Sequence, residues 1–171
     1  MDNNCRNLIK ITSISRTECC QECIGRVYNK NTYIYYGVGN TNANTMFIIP
    51  PHEINKLTPV EEELFYLFGE LFNKDLYKDC YVTRSVKCPI KDNDKIETAF
   101  NNCKHNLYNE IYIVAPRRII IIGKSNSFIK DIFDKIFVGI QIIVVPSPLT
   151  KTINSSAYNE LKEQLKKYVL L

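Results

Sequence analysis

Apolar positions change period several times along the chain, and each change marks an element. "ANTMFIIP" (43–50) is a continuous apolar run that stops at a double proline, the pattern of a strand buried on both faces. "TPVEEELFYLFGELF" follows with helical spacing, its apolar positions at Leu64, Phe65, Phe68, Leu71 and Phe72. Its start is well marked: Thr58 is placed to cap, Pro59 occupies the first helical position, and Glu61 stands where a capping box requires it. "CYVTRSV" (80–86) reads as a second strand. Asp94 with Glu97 opens a further helix, whose apolar face is Ile96, Ala99, Phe100, Cys103, Leu107 and Ile111. "RRIIIIG" is a third strand, 128–137 a helix, "GIQIIVV" a fourth strand and 158–170 a closing helix. This alternation predicts one α/β domain over residues 1–171. It is a three-layer αβα arrangement around a central four-stranded, mainly parallel sheet. Ligands in such folds bind beyond the carboxyl ends of the strands, which singles out "IPPHE", "RSVKC", "GKSNS" and "VPSPLT".

Composition narrows the classes without choosing among them. The chain has 171 residues, of which 45% are hydrophobic and 23% charged, ordinary values for a globular domain. A net charge of +4 permits a polyanionic partner but does not require one. The longest apolar runs are strand-length, so no membrane association is expected. "MDNNCRNLIK" lacks the apolar core of a secretory leader, which points to an intracellular location. "GKS" at 123–125 is no phosphate-binding loop, because no glycine-rich segment precedes it.

The cysteines carry more information. There are seven, an odd number, and in a reducing compartment thiols serve as metal ligands or core side chains more often than as disulfides. Cys20 and Cys23 form a C-x-x-C pair, and Cys88 and Cys103 form a second pair with fourteen residues between them. Four thiolates complete either a zinc site or an iron–sulfur cluster, and spacing alone does not decide between the two metals. Cys103 also fits a plain core position on its apolar helix face.

The order C-x-x-C, "GVGN", "TMFI", "YVTRSVKCP" and a later cysteine resembles the iron–sulfur branch (family 4 and its relatives) of the uracil-DNA glycosylases. Those proteins typically read G-E-G-N, I-M-F-I-G-E-A-P-G, Y-I-T-N-V-V-K-C-R-P-P, P-K-x-I-x-x-L-G and a closing H-P-S. Here "PRRIIIIG" (116–123) and "VPSPLT" (145–150) stand in the last two places, so the likeness runs from Cys20 to Leu149. The resemblance implies a uracil-DNA glycosylase-like fold with a structural [4Fe–4S] cluster on Cys20, Cys23, Cys88 and Cys103. The cluster would tie an N-terminal segment of about residues 1–30 to the loop after the second strand. Zinc is the alternative occupant.

The same alignment predicts a degraded catalytic pocket. Excising a flipped uracil requires a pocket that stacks on the base, reads its edge and stabilises the departing anion. The family's acidic residue falls on Pro50 and its stacking aromatic on Val60. The edge-reading asparagine falls on Arg84, which has no acceptor for the uracil N3–H, and the histidine falls on Val145. His52 and Glu53, just past the first strand, are the remaining candidates for acid or base chemistry. Without them the chain is not expected to be an enzyme; with them it would be a glycosylase for a different or modified base.

What survives is "PSPL". In the wider superfamily this stretch grips a phosphate while a leucine wedges into the base stack. Pro146, Ser147, Pro148 and Leu149 are the matching residues. Arg84, Lys87, Arg117, Arg118 and Lys124 are expected to form a basic rim around it. The expected role is a DNA-binding or protein-docking subunit in DNA replication, repair or viral DNA metabolism. A pure assembly module, with aromatic "YIYYG" (33–37) at its interface, is the third reading.

Overall fold

The computed structural model describes residues 37–51, 58–88, 90 and 95–171. Five strands form one mixed sheet: β1 (Val38–Gly39), β2 (Thr45–Ile49), β3 (Tyr81–Arg84), β4 (Arg118–Ile122) and β5 (Gln141–Val145), in spatial order β1-β3-β2-β4-β5. The four longer strands are parallel, and β1 adds antiparallel to β3 through Val38 opposite Val82 and Gly39 opposite Tyr81. The sheet thus has one strand more than the four expected. Two residues are too few to show a period-two pattern, so β1 leaves no signal in the sequence.

The described helices are α1 (Pro59–Phe72), α2 (Leu76–Asp79), α3 (Ile96–Val114), α4 (Phe128–Ile136) and α5 (Ser155–Tyr168). The strand side chains sort by alternation onto two cores. Met46, Ile48, Ile119 and Ile121 pack with Phe100, Leu107, Ile111, Ile129 and Phe133 of α3 and α4. Phe47, Ile49, Ile120 and Ile122 pack with Leu64, Phe68, Leu161 and Leu165 of α1 and α5. Two helical layers therefore enclose the sheet, which explains why its strands read as unbroken apolar runs.

Helix starts follow local chemistry. Thr58 Oγ1 accepts the Glu61 N–H at 3.1 Å and the Glu61 carboxylate accepts the Thr58 N–H at 3.0 Å, completing the predicted capping box. Such a cap contributes about 1 kcal/mol. At α5 the Asn154 side chain accepts the Ala157 N–H at 3.0 Å. The cap position of α3 is Lys95 rather than Asp94, which lies outside the described residues. Gly37 is needed for a close approach: a Cβ there would lie 2.3 Å from the Tyr81 hydroxyl.

Strand order places a topological switch point. The chain leaves β2 toward β3, then returns across β2 to β4 and moves on to β5. Connections from the adjacent strands β2 and β4 therefore run in opposite directions, opening a crevice beyond their carboxyl ends.

Candidate functional site

That carboxyl edge gathers the four predicted pocket positions. Pro50 follows β2, Arg84 ends β3, Val145 ends β5, and Val60 lies in the first turn of α1. Val60 and Val145 belong to one buried cluster with Ile49 and Ile122, so both act as packing groups.

Arg84 is 1% exposed and does not face solvent. Its Nη2 lies 3.3 Å from Glu61 Oε2, itself 2% exposed. The capping box holds this carboxylate at the positive end of α1 while it faces the guanidinium, so one side chain serves helix start and ion pair together. Glu61 is therefore a partner that the fold supplies to Arg84.

Lys87 is buried as well, with its ammonium on Glu110 of α3 at 2.6 Å, on Thr83 Oγ1 at 2.5 Å and on the Arg84 carbonyl at 3.1 Å. Those contacts engage all three ammonium protons. Glu110 also accepts the Thr83 hydroxyl at 2.6 Å and the Gly37 N–H at 3.3 Å, and so joins β3, α3 and the approach to β1.

A third polar contact crosses the switch point. Ser85 Oγ donates to Asn126 Oδ1 at 3.0 Å, and Asn126 Nδ2 donates to the Ile122 carbonyl at 3.2 Å. The Ser85 N–H bonds the Ile49 carbonyl at 3.0 Å, and both Ser85 and Asn126 are fully buried. Together these contacts place polar groups that bond one another where a ligand crevice is expected.

The basic rim is corrected on two counts. Arg84 and Lys87 are interior, because each finds a carboxylate that neutralises it. Arg117 and Arg118 stand at the amino ends of the strands, on the opposite edge; Arg118 bonds Gln141 Oε1 at 2.7 Å and the Tyr168 carbonyl. Lys124 is exposed at the carboxyl edge, and Lys151, which the sequence did not single out, is exposed beside "PSPL".

The "PSPL" stretch forms a turn on the surface. Ser147 Oγ accepts the Leu149 N–H at 3.3 Å, and the Ser147 carbonyl accepts the Thr150 N–H and hydroxyl at 3.0 and 2.7 Å. Pro148 is buried beneath the turn while Leu149 remains 39% exposed. Lys151 pins the turn to α1 through Glu63 at 3.4 Å and lies 5.9 Å from the centre of the Tyr158 ring of α5.

Of the four predicted ligand cysteines, Cys20 and Cys23 lie outside the described residues, as do His52 and Glu53. Cys103 is buried on α3 in one cluster with Val86 and Ile90, the residues that bracket Cys88, which is half-buried. The Asn106 amide donates to Cys103 Sγ at 3.8 Å. Thiols are soft ligands of the class that a four-thiolate site takes. Among the described residues no group of three or more His, Cys, Asp or Glu side chains is arranged around a metal position. Cys80 is a packing residue; burial, with Asp79 adding to it, pushes its thiol up to about 12.

Glu110, Thr83, Ser85 and Asn126 were not singled out from sequence. Glu61 was, but only as the N3 residue of a capping box. No family model matches the chain, and no curated protein matches it either.

Proposed function

We propose that the chain is an iron–sulfur, uracil-DNA glycosylase-like protein that has lost uracil chemistry and acts as a DNA-binding or docking subunit in DNA replication, repair or viral DNA metabolism. The observation that carries the reading is the carboxyl edge of the sheet. Its pocket positions are occupied by packing valines and a buried Arg84–Glu61 pair, while Leu149 stays exposed on a braced turn. A flipped base needs a cavity lined by free donors and acceptors, and here Arg84 pairs with Glu61 and Ser85 with Asn126 instead. Wedging needs only an exposed apolar side chain on a rigid support, beside cations that meet phosphate. Leu149, with Lys151 two residues on, meets that requirement.

Cys20, Cys23, Cys88 and Cys103 would hold the cluster, whose contribution is to crosslink distant segments rather than to react. Anaerobically purified protein is expected to carry iron and acid-labile sulfide in equal amounts. Cys88→Ser or Cys103→Ser should lose both and unfold more readily; stoichiometric zinc without iron would refute the cluster.

The activity test incubates the protein with uracil-containing single- and double-stranded DNA. No abasic sites above background are expected, with weak, sequence-independent and steeply salt-dependent binding to the same DNA. Enzyme-dependent excision abolished by Glu53→Gln would instead make the protein a glycosylase.

A further inference from the structure

Helix α1 carries Glu61, Glu62, Glu63 and Glu70 and no lysine or arginine, in a chain whose net charge is +4. Two of these carboxylates are engaged, Glu61 with Arg84 and Glu63 with Lys151. Glu62 is exposed and forms no ion pair among the described residues. It stands one helical turn before Tyr66, on the rim of an open cavity of about 320 Å³ lined by Glu62, Phe65, Tyr66 and Tyr77.

Three aromatic rings shape this cavity. Phe65 stacks on Tyr77, with ring centres 5.8 Å apart and planes 23° from parallel. Tyr66 meets Phe65 nearly edge-on, at 5.9 Å and 76°, so the two rings form a corner rather than a flat wall. Tyr66 is 68% exposed and Phe65 38% exposed, an unusual outlay of aromatic surface for one stretch of helix. Burial, then Glu61, then Asp75 push the Tyr77 phenol up to about 12.

We propose that this corner is a docking site for an arginine side chain presented by a basic segment of a protein partner. Ring faces attract a cation through their quadrupole, and a planar guanidinium stacks on one ring while donating to a carboxylate at its edge. Glu62 supplies that carboxylate. The same charge disfavours nucleic acid, whose phosphates would meet the Glu62 carboxylate. The site is built from other residues than the Leu149 turn, which packs on the same helix, and stands whether or not that turn contacts DNA.

The test uses the full chain and three fluorescein-labelled twelve-residue Gly-Ser peptides bearing three arginines, three lysines or three glutamates, read by fluorescence anisotropy at low salt. The arginine peptide should bind most tightly, the lysine peptide more weakly and the glutamate peptide not at all. Tyr66→Ala and Glu62→Gln, both at exposed positions, should each weaken arginine-peptide binding by about two- to fivefold and leave the thermal midpoint unchanged. Glu70→Gln, on the same helix but outside the cavity, should change binding less than either. Absence of arginine-peptide binding at millimolar concentration would overturn the proposal. So would equal losses in all three variants, which would mark diffuse attraction to an acidic helix, or equal affinity for the arginine and lysine peptides. DNA binding and uracil excision by the same Tyr66→Ala protein should match wild type, so failure here is distinguishable from failure of the DNA reading.

Discussion

The exits of β3 and β5 lie on the same edge of one sheet and have opposite characters. Beyond β3 the chain buries two cations within four residues, Arg84 and Lys87, each against a carboxylate from a helix. Beyond β5 it sets an exposed leucine on a capped turn braced by a surface lysine. The first region is held by charges that have lost their water and depend on one another. The second is held by short local bonds and one screened ion pair. Substitutions at the first should therefore act on folding, and substitutions at the second on whatever binds the surface.

The largest effect is expected at Glu110. Its removal leaves the Lys87 ammonium buried without its carboxylate and strips acceptors from the Thr83 hydroxyl and the Gly37 N–H. Glu110→Ala should cost about 3–5 kcal/mol, read as a fall in the denaturant midpoint. The double variant Glu110→Leu with Lys87→Met should recover much of that loss, because an apolar pair of similar volume carries no desolvated charge. A double variant as unstable as the single one would show that the network fixes geometry beyond charge balance.

Glu61 ranks next. Glu61→Ala leaves Arg84 without this carboxylate and also opens the capping box, so about 3 kcal/mol is expected. Glu61→Gln, which keeps an acceptor for the Thr58 N–H, should cost less. Equal losses in the two variants would mean that the charge, not the cap, matters at this edge.

A smaller effect appears at alkaline pH. The folded state holds the Cys80 thiol at about 12 against an ordinary value of 9.0, so the unfolded chain releases this proton first. Stability should be complete below pH 9 and decline between pH 9 and 12, with Tyr77, also raised to about 12, adding from pH 10 upward. Cys80→Ala should lower stability at neutral pH through lost packing but make the alkaline decline shallower. An unchanged slope would dissociate the thiol from it.

What the sequence disclosed and what it hid follow from the range of the interactions involved. The capping box at Thr58 and Glu61, the β-branched runs of β2, β4 and β5, and the helical face of Leu64 and Phe68 depend on neighbours a few residues away, and all are legible. Arg84 and Lys87 read as surface cations because that is where cations ordinarily lie. Their burial depends on carboxylates 23 residues away in each case, on helices whose packing only the fold determines. Asn126 was hidden for a related reason: its partner Ser85 is 41 residues distant. The opposite placement of Arg117 follows from strand polarity, since a residue that precedes a parallel strand cannot lie at its carboxyl end.

The smallest expected effect on folding, and the most direct test of the contrast between the two exits, is at Leu149. Its side chain is already partly in water, and its turn is held by Ser147 and Pro148 rather than by its own packing. Leu149→Ala should therefore change stability by no more than about 0.5 kcal/mol. If the side chain wedges into stacked bases, the same substitution should weaken binding to mismatched or distorted duplex more than to intact duplex, because a wedge gains most where stacking is already poor. Affinities for the two duplexes, measured at several salt concentrations, separate this from charge: loss of the wedge should leave the salt slope unchanged, while Lys151→Ala should flatten it. Equal weakening on both duplexes would assign Leu149 to general contact. No weakening on either would move DNA binding, if present, away from the β5 exit.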